Sequence, residues 1–574
     1  MTDEASQPER SQSARPDSKG VPAFEWQLTD STIADIVKLV SGPYDVLPIV
    51  FVPGIMGSNL RNKVTGKPVW RLDIGFGGIP WELLGFANKG PGPRQMLLHP
   101  ERCELDDKGA VPKESKGTSL SQAEYTQRGW GTVAQKSYHP FLLWLEETLN
   151  PKVRNPARWA DFYQDEATIS ATPAPGAEPK LFPGVRMGLK GQPFGAEKTP
   201  FAPIMTDDLI ARSKFMFPVY ASGYNWLASN QDSAVALQKR ISEIIKENNA
   251  GQFRCEQVIV VTHSMGGLVA RACAQLPGMT DRIAGVVHGV MPAVGAAVAY
   301  RRCKLGMADE NFGAGLVLGS NGPEVTAVFA QAPGALELLP SHLYHSNWLR
   351  VLGPSGTVVD SWPSGGDAGN DPYTSIYLRR DRWWGLVNDA WLAPKDGKAL
   401  DWKEFADNVQ AAKGFHQKLG VGYHPSTYTY YGSDKTKKSF ENMTWRIQRG
   451  RAPDNASPPT IDKVVTMPTA DVRMDGRTPE YVGGTTRFET GPRGSGAVIE
   501  TSHWELHGEM HDGGGDGTVP TSSGSAPLSA AASSVQQQFK LTGFDHEGSY
   551  ENGTARLATL YSINKLAAKA KRTP

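Results

Sequence analysis

The chain has 574 residues, enough for about four domain equivalents, and 60 Lys and Arg stand against 59 Asp and Glu for a formal charge of +1. That balance excludes a globally basic nucleic-acid binder and an acidic solvating chain, so no nucleic-acid partner is expected. Four cysteines, Cys103, Cys255, Cys273 and Cys303, are too few and too scattered for a disulfide scaffold or a four-thiolate metal site, and read as small buried hydrophobes.

Residues 1–25 lack the apolar core of a signal peptide and read as a disordered leader, which places the protein in the cytoplasm of the producing cell. No window reaches the ~20 uninterrupted apolar residues of a spanning helix, so any membrane contact is expected at the surface. VLPIVFVPG at 46–54 is a buried strand running into a tight turn at Pro53-Gly54. It opens the first part of a core assigned to 40–300, interrupted by a Gly-, Pro- and Trp-rich insertion at 58–212 with one helix around 141–149. From 216 onward strands and helices alternate. Ala234, Leu237, Ile241, Ile244 and Ile245 share one helical face, and Val258 to Val261 form a continuous apolar strand. Unbroken apolarity in the strands fits a sheet covered on both faces, so the expected fold class is α/β with a mostly parallel central sheet. A cap or lid insertion is assigned to 301–420. The second part of the core, 421–574, holds a strand at 426–432 and a last helix around 554–569.

VIVVTHSMGGLVAR at 258–271 carries the sharpest chemical signal. A strand leads straight into Ser264 and then a helix, which exposes the hydroxyl at the sheet's C-terminal edge beside oriented N–H groups. The bland alternative for Ser264 is a helix-capping serine. Thr262 stands where the usual motif has glycine, and His263 is expected to point away from the nucleophile as a structural or pocket-lining residue. A serine needs a base and a third group that orients the base. In chain order nucleophile, acid, histidine, GFDHEGSYEN just before the last helix supplies His546. Asp516 in HDGGGDGTVP leads for the acid because flanking glycines allow close backbone approach, with Asp434, Asp512 and Asp545 competing. The oxyanion left by attack on a carbonyl needs two amides. Met265 and Ile55 are the candidates, Met56 being the alternative to Ile55.

FVPGIMGSNL at 51–60, the W-x-L-D of Trp70 to Asp73, YNW at 224–226, THSMGG at 262–267, TYTYYG at 427–432 and GDGTVP at 515–520 together resemble the lecithin:cholesterol acyltransferase-like branch of the α/β-hydrolases, which includes lysosomal phospholipase A2. The resemblance covers the core well and the insertions poorly. It implies an α/β-hydrolase with large cap insertions, Ser264 as nucleophile, Asp516 as acid, His546 as base, and an oxyanion hole from the Ile55 and Met265 amides. It further implies hydrolysis of acyl esters in membrane glycerophospholipids or other acyl lipids through an acyl-enzyme, with no cofactor required; transfer to an alcohol on the same triad is the alternative. Size and the terminal GFDHEGSYEN also resemble bacterial antibacterial lipase effectors of type VI secretion. That likeness implies an apparatus component and an immunity protein as partners, and delivery to a target periplasm. A non-catalytic binding protein on a hydrolase fold is the reading from a different class.

Phe329, Leu336, Leu338, Leu339, Trp383, Trp384, Leu386 and Trp391 either line a lid that accepts acyl chains or form the cap's own core. His503, His507 and His511 recur every fourth residue; on a helix they would share a side and offer a zinc site, but Gly508 and its neighbours weaken that helix, and the serine chemistry needs no metal.

Overall fold

In the computed structural model the described residues are 45–571, except 72–88, 114–119, 151–194, 206–207, 209–210, 213, 252, 309–318, 366–370, 452–456 and 491–495, together with four short strands ahead of residue 45. Most of the expected leader lies outside them. Its described parts are Glu9–Ser13, Arg15–Pro16 and Pro22–Ala23, strands where the polar composition predicts disorder. Glu9–Ser13 pairs in parallel with Ile36–Val40.

Six strands form the central sheet: β1 (Ile49–Val52), β2 (Val219–Ala221), β3 (Val258–His263), β4 (Ile283–Gly289), β5 (Thr427–Gly432) and β6 (Val535–Leu541). They lie in the order β2-β1-β3-β4-β5-β6. Every pairing is parallel. The run of apolar residues in β3 is explained by this setting. Val258 and Val260 pack into one hydrophobic cluster while Ile259 and Val261 pack into another, because successive side chains point to opposite faces and both faces are covered.

One face is covered by α1 (Gln135–Leu149) and by the last helix, Gly553–Lys569; the other by α2 (Asn230–Glu247) and α3 (Gly266–Ala274). α1 begins six residues earlier than its apolar signal, because Pro140 and the polar first turn interrupt the periodicity without breaking the helix. The strand order reverses direction at β1, which lies between β2 and β3. In open parallel sheets the crevice beyond the strand C-termini at such a reversal is where ligands bind.

A second, mixed sheet of six strands is not anticipated by the sequence division at 421. Val358–Trp362, Leu349–Leu352, Met443–Arg449, Gly496–Gly508, Glu480–Thr490 and Val472–Arg473 pair in that order, so strands from the assigned cap and from the assigned second core half share one sheet. Phe329, Leu336, Leu339, Trp383, Trp384, Leu386 and Trp391 are all buried in the cluster on the α2 and α3 side, and Leu338 packs against it partly buried. The indole N–H groups of Trp383 and Trp384 donate to the carbonyls of Val464 and Val465 at 2.9 and 3.0 Å. These side chains pack into one shared core, each contributing roughly 1.5–3 kcal/mol by leaving water.

Glu337 docks the cap onto α2. Its carboxyl accepts from the Asn230 amide and the Ser229 hydroxyl, both at 2.8 Å, and His416 Nε2 donates to the Glu337 carbonyl at 2.8 Å. Complete burial pushes this carboxyl up from 4.5 to about 8. Between those two values the folded protein holds one proton more than the unfolded chain. The group's stabilising contribution is therefore full below 4.5 and is lost as pH rises through about 8. Glu337→Gln imitates the protonated carboxyl and does not titrate. Its melting temperature is expected to gain on the wild type as pH rises from about 5 to about 9; a difference that stays constant across that range refutes the assignment.

Candidate active site

At the end of β3 the backbone turns sharply, and Ser264 takes a left-handed φ of 50°. Its amide donates to the Gly289 carbonyl and its carbonyl accepts from the Gly267 amide, each at 2.9 Å, so both sides of the strained turn are held. A Cβ on Gly266 would lie 2.5 Å from the carbonyl oxygens of Val52 and Pro53, which is why only glycine lets α3 start this close to β1. Thr262 does not crowd the turn. It is buried on β3 and shares a 3.0 Å hydrogen bond with His288 Nδ1 across to β4.

His546 is brought to the serine from 282 residues away, with Nε2 2.8 Å from Ser264 Oγ. His546 Nδ1 lies 2.8 Å from Asp516 Oδ2. A carboxylate only accepts, so Nδ1 carries the proton, and Nε2 is left with a lone pair facing the serine hydroxyl. Asp516 is 1% exposed, and its other oxygen accepts the amides of Thr518 and Val519 at 3.0 and 2.7 Å. These bonds fix the carboxyl's orientation, so that its second oxygen faces the imidazole. Asp516 arrives beside β5 because the chain returns from the second sheet through Gly513–Gly515, which pairs antiparallel with Asp434–Ser439. Gly432, the last residue of TYTYYG, would clash with the Asp516 side chain at 2.6 Å if it carried a Cβ.

The competing acids lie elsewhere. Asp434 accepts from Thr436 and from the Gly543 amide, bonds that pull it down to about 2. Asp512 accepts from the Glu441 and Asn442 amides, and Asp545 from the Gly548 amide. All three shape loops around the site without contacting the imidazole of His546.

The loop after β1 is pinned from several directions. The Tyr224 hydroxyl donates to the Pro53 carbonyl at 2.9 Å, the Tyr224 amide to Ser58 Oγ at 3.0 Å, and the Trp70 indole to the Met56 carbonyl at 2.8 Å. These are contacts of the FVPGIMGSNL, YNW and W-x-L-D segments, although Leu72 and Asp73 lie outside the described residues. Met56, not Ile55, holds the left-handed conformation, with φ 63°. Neither the Ile55 nor the Met265 amide donates to an acceptor among the described residues, leaving both N–H groups available to an anionic oxygen.

The histidine triplet takes no helical form. His503 and His507 lie on the strand Gly496–Gly508, where about 3.3 Å per residue separates them by roughly 13 Å. His511 lies beyond the strand with its ring against Phe440, and His507 Nε2 pairs with Glu505. No group of three metal-ligating side chains occurs among the described residues, and the helical zinc reading is withdrawn.

Residues that the motifs do not single out also meet here. Tyr138 of α1 lies 2.9 Å from His263 Nδ1, and His263 Nε2 lies 3.0 Å from the carbonyl of His546. His263 therefore does point away from Ser264, but toward the main chain of His546. Burial, with the neighbouring His546 adding to it, holds His263 well below the ordinary histidine range. The Ser137 hydroxyl donates to Glu547 at 2.9 Å, a second tie between α1 and the histidine loop.

A family model described as a PGAP1-like alpha/beta domain matches residues 227–305. A chain in the crystal structure of the Tle4-Tli4 complex is 32% identical to this one, with 91% of this chain and 98% of that chain covered and a TM-score of 0.66. Phospholipase PlaB from Legionella pneumophila is 11% identical over 50% of this chain and 72% of its own, with a TM-score of 0.14, and bears on nothing here. No curated protein matches.

Proposed function

This chain belongs to the Tle4 family of ester-cleaving α/β-hydrolases, and we propose that it hydrolyses acyl esters of membrane glycerophospholipids with Ser264 as nucleophile, His546 as base and Asp516 as the acid that orients it. The observation that carries the reading is the unbroken series Asp516 to His546 to Ser264, with 2.8 Å at each step.

As Ser264 Oγ attacks the ester carbonyl, its proton passes to His546 Nε2, and buried Asp516 stabilises the imidazolium. The amides of Ile55 and Met265 receive the oxyanion. Collapse breaks the bond to the leaving alcohol, which takes the proton from His546 and departs, leaving an acyl-serine. Water then gives its proton to His546 and attacks the acyl carbonyl. Breakdown of this second intermediate releases the fatty acid and returns the proton to Ser264. No step calls for a metal or cofactor.

We further propose an antibacterial role for the enzyme, in which membrane lipid is the substrate. An immunity protein that occupies the enzyme in the producing cell, and export by a type VI apparatus to a rival's periplasm, follow from the same family reading. No helix among the described residues is long and apolar enough to cross a membrane.

Vesicles of phosphatidylethanolamine and phosphatidylglycerol incubated with the protein should yield free fatty acid and lysophospholipid by mass spectrometry. Turnover of short soluble esters with no lipid product overturns the substrate assignment. Sterol ester formed when a sterol is supplied replaces hydrolysis by acyl transfer.

A further inference from the structure

We propose that Tyr138 and His263 form a positioning relay that ties the main chain of the base, His546, to the oxyanion loop at Gly54. The proposal rests on the serine mechanism above and adds two residues to it, neither of which touches the reacting atoms.

The direction of every hydrogen bond follows from chemistry. The carbonyl of His546 can only accept, so His263 Nε2, 3.0 Å away, carries a proton. His263 is neutral in its buried site, so Nδ1 has a lone pair and accepts the Tyr138 hydroxyl proton across 2.9 Å. The Tyr138 oxygen in turn accepts the Gly54 amide proton at 3.1 Å. Donation therefore runs one way, from the Gly54 N–H through the Tyr138 O–H and the His263 N–H to the carbonyl of His546. A single tautomer of His263 satisfies the whole series.

The two ends of the series give it meaning. Gly54 directly precedes Ile55, whose amide is a candidate oxyanion donor, and His546 is the base itself. His263 is joined covalently to Ser264. Three parts that must keep registry during the reaction are thus connected through α1, an element of the first insertion.

The surroundings leave little room for substitutes. His263 and Tyr138 are 5% and 4% exposed. The Tyr550 ring lies 4.8 Å from His263 and 6.0 Å from Tyr138, the Phe51 ring is 5.0 Å from Tyr138, and the His546 ring itself is 5.0 Å from His263. A buried pair hydrogen-bonded only for its own satisfaction would change stability when altered. A pair that orients the base changes the rate of the folded enzyme.

Tyr138→Phe keeps the ring and deletes both hydroxyl bonds. With a p-nitrophenyl ester, its kcat is expected to fall about 10- to 100-fold while KM stays within about twofold, since small misplacement of a catalytic group costs rate rather than binding. Phosphonylation of Ser264 by a p-nitrophenyl alkylphosphonate should slow by the same factor. His263→Gln keeps an N–H near the Nε2 position and should retain about tenfold more activity than His263→Asn, which keeps only an acceptor toward Tyr138. Near-UV circular dichroism reports folding; if a histidine variant does not fold, Tyr138→Phe decides alone. Wild-type kcat and phosphonylation in Tyr138→Phe, a raised KM with kcat unchanged, or equal losses in the Gln and Asn variants each overturn the relay. Absence of phosphonate on Ser264 of the wild type refutes the nucleophile and removes the relay's premise, whereas a labelled wild type with undiminished labelling of Tyr138→Phe refutes the relay alone.

Discussion

Ser264→Ala is expected to lower kcat for ester hydrolysis by about 10⁴- to 10⁶-fold, because the acyl-enzyme cannot form and only the oxyanion donors and substrate binding remain. The fold should persist. Among the described residues the Ser264 side chain bonds to His546 alone, while the turn is held by main-chain bonds that alanine keeps, namely the amide to Gly289 and the carbonyl to Gly267. Losing one such hydrogen bond costs about 0.5–1.5 kcal/mol, a small part of the stability of a chain this long. Circular dichroism and thermal melting establish folding, and p-nitrophenyl ester turnover gives the rate. A folded variant retaining a tenth or more of wild-type activity would sink the assignment of the nucleophile.

Asp516→Asn should be nearly as damaging, at about 10⁴-fold in kcat, for a reason that lies in hydrogen-bond direction. The amides of Thr518 and Val519 both donate to one oxygen of Asp516, so asparagine keeps its carbonyl there and turns its NH₂ toward His546. The imidazole must then accept at Nδ1 and carry its proton on Nε2, where it can no longer take the serine proton. Asp434→Asn is the control. Among the described residues Asp434 reaches the histidine loop only through the Gly543 amide at 3.0 Å, and the loss is expected to stay below about tenfold. Because its hydrogen bonds pull Asp434 from 3.8 down to about 2, that contact is fully present above 3.8 and is lost only as pH falls through about 2, so it does not shape the neutral-pH profile. Equal activity of the two variants would move the acid elsewhere.

How much was legible depends on how local each feature is. The run from Val258 to Arg271 contains strand, turn and helix in one stretch, and its unbroken apolarity followed by Ser264 and two glycines leaves few alternatives. His546 is readable from its place before the final helix. Asp516 is readable only as the best of four, since nothing near it in sequence says that β5 ends beside it.

Other features have no local mark. Tyr138 is 125 residues from His263 and sits in a first helical turn whose apolar pattern is interrupted by His139 and Pro140. The histidine triplet misleads for a geometric reason: residues four apart share a side on a helix and also on a strand, so spacing alone cannot choose between ligands that converge and side chains strung along a sheet. The cap tryptophans illustrate a similar limit. Apolarity predicts that Trp383 and Trp384 leave water, not whether lipid or protein replaces it.

By itself, then, the order of residues determined the doubly covered parallel strands and the strained turn at Ser264, because each depends on side chains within a turn or two of one another. The folded arrangement alone decided which carboxylate meets His546, that Tyr138 and His263 hold its main chain, and that strands from either side of residue 421 share a sheet. Those outcomes come from strand order and from the antiparallel return at Gly513–Gly515, pairings made between main-chain groups, which are the same in every residue and so leave little imprint on the sequence.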